Sequence, residues 1–171
     1  MKFLIKKDKL PVMEDYFFAT NGQKLNRNQL VEEIIGFIKE KPESFYKIII
    51  GSDSQLFPDK SADFVTAIVV HRVGNGGRYF WKRIEGGKFY TLRDRIIEEV
   101  LLSLNTAIDL LELLKKEADI NFDFEVHVDI GQNGKSSSLI SEVTGMIRAY
   151  NFNFKTKPES YAASCVADKH V

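Results

Sequence analysis

Residues 45–50 read Phe-Tyr-Lys-Ile-Ile-Ile, a β-prone run with no regular alternation of polar and apolar positions. Such a run suits a central strand covered on both faces, and a strand of that kind needs flanking helices. The chain is therefore expected to be α/β. The run ends directly in Gly51-Ser52-Asp53-Ser54-Gln55, which puts a carboxylate at the tip of the most buried element.

The other elements follow from periodicity. Leu30, Val31, Ile34, Ile35 and Ile38 keep helical spacing from Asn28 and stop near Pro42, predicting an amphipathic leading helix. Residues 64–71 and 78–84 read as strands joined by Gly74-Asn75-Gly76-Gly77, an antiparallel hairpin. Residues 92–116 form the strongest helix, with a stripe of Ile96, Ile97, Val100, Leu101, Leu104, Ile108 and Leu111. In residues 124–130, Phe124, Val126 and Val128 alternate with Glu125, His127 and Asp129, a fourth strand. A helix then runs through Leu139, Ile140, Val143, Met146 and Ile147. Residues 153–157 make a short fifth strand, and Pro158 opens a last helix. The order, a helix and then β-β-β-α-β-α-β-α, predicts a five-stranded mixed sheet flanked by helices. Its later strands should lie parallel to the first through right-handed crossovers.

No repeat, low-complexity tract or linker interrupts the chain. Residues 1–171 are expected to form one domain, with 1–44 as an N-terminal extension carrying one helix and Phe17 and Phe18 as its anchors. Cys165 is the only cysteine, which excludes an internal disulfide or a cysteine metal site. Its apolar neighbours predict that it is a buried small hydrophobe. No stretch approaches the roughly 18 apolar residues of a spanning helix, and the N-terminal apolar run is too short for a signal peptide. A reducing, cytoplasmic setting without a membrane is expected.

The chemistry lies in the acids. Asp53 and Asp129 each close a strand, and ligands of parallel α/β sheets bind beyond such strand ends. If the two strands are neighbours, the carboxylates stand side by side and repel unless a cation lies between them. Either one taken alone also reads as a cap for the next turn. Glu98 and Glu99 both flank the long helix's stripe and could supply a third carboxylate. Asp168, in the last helix, could close the site from above. Oxygen ligands without cysteine favour magnesium or manganese over zinc. Two such ions, roughly 3.5–4 Å apart, clamp the attacking and leaving oxygens of a phosphoryl displacement.

Gly131-Gln132-Asn133-Gly134-Lys135-Ser136 stands between a strand and a helix, where Lys135 and Ser136 could receive a phosphate. A full phosphate loop needs glycine at 129, and this chain has Asp129. His71, His127 and His170 lack metal-site spacing, although His170 lies near Asp168 and could assist proton transfer. Arg148, Lys155, Lys157 and Lys169 form a candidate basic rim. The 24 basic and 24 acidic side chains cancel, so overall charge neither advertises nor excludes a nucleic-acid partner.

The strings IIIGSDSQ, VHVDIGQNGKSS and KPESYAASCVADKH resemble the bacterial YkuK-type family, classed as ribonuclease H-like. The resemblance covers nearly the whole chain from about Phe17. It implies the ribonuclease H-like fold, and with it four carboxylates holding two magnesium or manganese ions on nucleic acid. By position these are Asp53, Glu99, Asp129 and Asp168, with Glu98 a possible substitute for Glu99. The implied function is a metal-dependent nuclease. The alternative is a non-catalytic module of the same fold that binds nucleic acid, a protein partner or a nucleotide phosphate.

Overall fold

The computed structural model describes residues 15–117 and 119–171, so the first part of the expected extension lies outside the described residues. Its frame is a sheet of seven strands in the order β2-β1-β5-β4-β3-β6-β7. The strands are β1 (Phe17–Ala19), β2 (Lys24–Leu25), β3 (Tyr46–Leu56), β4 (Ser61–Arg72), β5 (Gly77–Lys88), β6 (Asp123–His127) and β7 (Asn153–Lys155). β3, β4 and β5 form the antiparallel meander, while β6 lies parallel to β3 and β7 parallel to β6. The fold class, the meander, the parallel setting of the later strands and the mixed character agree with expectation, but the strand count does not. The two additional strands form a hairpin in the N-terminal extension, which turns at Gly22 (φ +82°) and pairs with β5. Strands of two and three residues are too short to carry a period-two signal. Phe17 and Phe18 do anchor the extension. Phe17 is buried, and Phe18 stacks on Trp81 from the opposite face, ring centroids 4.8 Å apart.

Three helices cover one face of the sheet. In α1 (Arg27–Lys39), Asn26 and Gln29 form a reciprocal capping box, each side chain accepting from the other's backbone N–H. α2 (Leu92–Leu114) is capped by Thr91, whose Oγ accepts from the N–H of Asp94 at 3.0 Å. α3 (Ile140–Ala149) follows a short 3₁₀ turn, Ser137–Leu139. Ile48 and Ile50 of β3, Val126 of β6, Ile34 of α1, Val100 and Leu104 of α2 and Ile147 of α3 meet in the main core. The buried side of α2 runs through Ile96, Glu99, Val100, Ser103, Leu104 and Ala107. Leu101, placed in the expected stripe, is 37% exposed. That phase puts Glu99 on the sheet side. None of the helices among the described residues is long and apolar enough to cross a membrane.

The other face of β3 carries Ile49, Gly51 and Asp53, because side chains alternate along a strand. The C-terminal segment packs directly over Gly51. The helix expected to open at Pro158 starts later, because a turn from Thr156 to Glu159, closed by a 2.8 Å hydrogen bond, intervenes. The segment is a π-helical stretch, Ala162–Ala167, followed by a 3₁₀ turn, Asp168–His170. Ala162, Ala163 and Ala167 face the sheet and are fully buried. Cys165 therefore lies on the outer side and is exposed, contrary to expectation.

Candidate functional site

β3 does not stop before Asp53. Its ladder with β4 continues to the pair Leu56–Ala62, so Asp53 stands within the strand, opposite Val65, rather than at its tip. The backbone pairing of a long hairpin carries the strand past the end of its apolar run. β6 is shorter than expected and ends at His127, with Asp129 two residues beyond. In the parallel β3–β6 ladder Gly51 lies opposite His127. Two residues further along each chain, Asp53 and Asp129 stand side by side on the face that carries the C-terminal segment. That segment brings Asp168 within hydrogen-bonding reach of the Asp53 carboxyl.

Burial pushes the Asp53 carboxyl up to about 6. The Ser54 backbone N–H opposes the rise, and the neighbouring Asp129 and Asp168 add to it. Glu99 reaches the same cleft from α2, on the other side of the sheet. Its Oε1 accepts a hydrogen bond from the Ser54 hydroxyl. Burial raises Glu99 to about 8, against the pull of Ser54 and Arg95 and with the help of Asp53 and Asp129. Burial thus favours the protonated form of Glu99 in the metal-free protein. The structure thus brings three aspartates together, while Glu99 lines the cleft turned toward Ser54.

The cleft encloses about 230 Å³ and is lined by Asp53, Glu99 and Asp129 together with Arg95, Lys135, Ser136 and Lys157. Lys135 and Ser136 follow Gly134, whose φ of +100° turns the loop. Neither Ser136 nor Leu139 caps the turn and helix that follow, so the loop offers side chains rather than a capped helix start. Lys157 Nζ lies 3.1 Å from Asp129 Oδ1, but outside hydrogen-bond geometry. Asp129 Oδ1 is thus buried with an ion-pair neighbour and no hydrogen-bond partner among the described residues.

Among the described residues, no group of three or more His, Cys, Asp or Glu side chains forms a ready metal cage. The donor chemistry still fits a hard cation. Magnesium needs only one or two carboxylates and takes the rest of its shell from water and substrate phosphate. Asp53 and Asp129 supply all-oxygen donors, and Asp129 Oδ1 is buried with the Lys157 ammonium as ion-pair neighbour and no hydrogen bond among the described residues. Magnesium or manganese suits this set, and zinc does not.

Several residues fall elsewhere than expected or were missed. His170 stacks on Trp81, centroids 4.3 Å apart, and its Nε2 is 3.3 Å from the Tyr79 hydroxyl. It is occupied there rather than at the carboxylates. Of the candidate rim, only Lys157 lines the cleft; Lys155 pairs with Glu159, and Arg148 lies over the Phe154 ring. Nothing in the sequence singles out Ser54 or Arg95, although Arg95 precedes Glu99 by one helical turn. Nor does the sequence announce the anchor formed by His127. Its Nε2 is 3.2 Å from Glu125 Oε2, and its Nδ1 accepts from the Ala162 N–H at 3.3 Å. Burial lowers His127 below the usual imidazole range, opposed by Glu125.

The raised carboxyls dictate a pH dependence of stability. Unfolded, Asp53 and Glu99 titrate near 3.8 and 4.5; folded, they titrate at about 6 and about 8. Between those values these two carboxyls bind more protons folded than unfolded, so their contribution to stability falls as pH rises. His127 and His170, both held below the ordinary imidazole value, work the other way near neutrality. The carboxyl contribution is fully present below about pH 4 and lost by about pH 8. In metal-free protein the thermal midpoint should drop by roughly 5 °C or more between about pH 5 and pH 8. Glu99→Gln should flatten most of that drop. Melts at stepped pH test this, and a wild-type profile matching that of the variant would contradict a buried, protonated Glu99.

A model of the ribonuclease H-like family matches residues 29–171 of this chain. The "Uncharacterized protein YkuK" of Bacillus subtilis (strain 168) is 32% identical over 166 residues, covering 90% of this chain and 95% of that protein. Among solved structures, the crystal structure of prototype foamy virus protease-reverse transcriptase matches 74% of this chain at 12% identity, with a TM-score of 0.37. This chain spans 20% of that one, and the likeness is too distant to bear on the site.

Proposed function

Because this chain belongs to the ribonuclease H-like family, we propose that it is a single-domain, divalent-metal-dependent nuclease that hydrolyses nucleic-acid phosphodiester bonds. The observation that carries this reading is the meeting of Asp53, Asp129 and Asp168 beside a cleft that also holds Arg95, Lys135 and Lys157. Acids alone would repel a phosphodiester, and cations alone would bind it without activating water. Asp53 and Asp129 would hold magnesium or manganese, with Asp168 joining from the C-terminal segment. When bound, such ions activate a water and neutralise charge on the departing oxygen. Lys135 and Ser136 bind the phosphodiester from the loop, and Lys157 can exchange Asp129 for a phosphate oxygen. Glu99 joins the ligands only on losing the proton that its burial retains. No side-chain nucleophile is required.

Calorimetric titration of manganese tests the assignment. Saturable binding by wild type that disappears in the Asp53→Asn/Asp129→Asn double variant is the expected result. Equal binding by both proteins would sink it, as would no binding by wild type even with an oligonucleotide present. The absence of a ready cage and the hydrogen bond of Glu99 to Ser54 favour one rival, a module of the same fold that binds nucleic acid without cleaving it. That rival predicts tight binding, no turnover and little effect of Asp53→Asn.

A further inference from the structure

Arginines in the described residues are for the most part ion-paired: Arg27 with Asp15 and Asp109, Arg72 with Glu40, Arg78 with Glu33 and Glu40, Arg83 with Asp63 and Arg93 with Glu142. Arg148 rests on the Phe154 ring. Arg95 differs from all of these. It is half-buried in the carboxylate cleft, yet it forms no ion pair with any described acid. Its Nη1 donates to the Ser54 carbonyl at 3.1 Å and to the Ser54 hydroxyl at 2.9 Å. Its Nε and Nη2 have no hydrogen-bond partner among the described residues.

A guanidinium placed to neutralise Glu99 would turn its free edge toward that carboxyl. Here the Ser54 hydroxyl stands between the two, bonded to both. One nitrogen is pinned to Ser54, the residue after Asp53, while the rest of the planar fork is left open. Parallel N–H donors in that geometry match two non-bridging oxygens of a phosphate. Lys135 is exposed on its loop and Lys157 already faces Asp129, so Arg95 is the cation that the backbone holds in place.

We infer that Arg95 grips a backbone phosphate of the nucleic acid and sets its register over the carboxylates, an inference that rests on the nuclease reading above. The grip is made by a side chain whose own anchor, Ser54, adjoins Asp53, so phosphate and metal ligands share one rigid stretch of β3.

The test uses an Asp53→Asn background to silence turnover, with a labelled short RNA–DNA hybrid and magnesium, and measures affinity across a salt series. Arg95→Ala should weaken binding about tenfold or more. It should also reduce the slope of log affinity against log salt by about 0.7–0.9, the loss of one phosphate contact. Arg95→Lys should keep the slope but recover only part of the affinity, because an ammonium is not a fork. Thermal midpoints of the variants exclude a folding defect. A purely structural Arg95 would leave the slope unchanged, and unchanged affinity and slope overturn the inference while the nuclease reading stands. If wild type cleaves nothing but the slope still falls in Arg95→Ala, the phosphate grip stands and the nuclease reading falls. If no version of the protein binds the hybrid, both fall.

Discussion

Asp53→Asn should abolish metal-dependent cleavage while making the metal-free protein more stable. The loss should be roughly a thousandfold, the scale for removing a group that acts at the reacting centre. The gain has a separate cause. Asp53 is buried beside Asp129 and within reach of Asp168, and its carboxyl is pushed up to about 6. At neutral pH its charge is therefore a burden on the fold unless a cation offsets it. Asparagine keeps the shape and can still accept the Ser54 N–H, but carries no charge. Cleavage assays on RNA, DNA and hybrid, run beside thermal melts in a chelator, read the two effects together. A residue with only a structural role would lose stability on substitution. Cleavage that survives in the variant would show that Asp53 holds no essential ion.

Gly51→Ala should cost about 3 kcal/mol of stability, the upper range for forcing an extra group into a packed interior. A Cβ on Gly51 would stand 2.5 Å from the nitrogen of Ala163 and 2.7 Å from the carbonyl carbon of Ala162. Both are backbone atoms, so no rotamer change relieves the clash. Either β3 bends or the C-terminal segment lifts away, and the segment carries Asp168. Manganese affinity should fall with stability, even though residue 51 is not among the carboxylates. Gly36 in α1 is the matched control, since a Cβ there meets nothing within 4 Å. Gly36→Ala should stabilise by about 0.5–1 kcal/mol through helix propensity. Urea unfolding of both variants, with amide exchange across residues 162–167, checks the contrast. A Gly51→Ala protein as stable as wild type would mean that the segment is not seated on β3 as described.

The legible part of the fold was the part written in long periodic runs. The apolar run before Asp53 announces a central strand, and the crossover order predicts later strands parallel to it. That the strand before Asp129 is its direct neighbour is a condition the pattern leaves open and the pairing of β3 with β6 supplies. Short or pairing-dependent features were not legible. The β1–β2 hairpin has too few residues for a pattern, and the extension of β3 beyond Asp53 depends on its partner in β4. The start of the last helix is ambiguous in the sequence because Pro158 suits both a helix start and the turn it occupies. At the site, the choice of Glu99 came from family resemblance; its bond to Ser54 depends on how the phase of α2 meets the parity of β3. Arg95 carries no signal in the sequence, because a helical arginine among charged neighbours is ordinary and its missing ion pair belongs to the folded structure alone.

The strand lengths bear on how this chain behaves in concentrated solution. The strands at the two ends of the sheet, β2 and β7, have two and three residues, whereas β3, β4 and β5 in the interior have 11 or 12. An open edge offers unpaired N–H and C=O groups on which a second copy can build, and very short edge strands offer few. The formal net charge of zero at pH 7 provides no overall repulsion between copies. Resistance to aggregation therefore falls to the sheet's borders. On one side that border is the β1–β2 hairpin, which pairs with the 12-residue β5 at Phe80 and Trp81, and deleting it would bare that stretch of β5 to every neighbouring molecule.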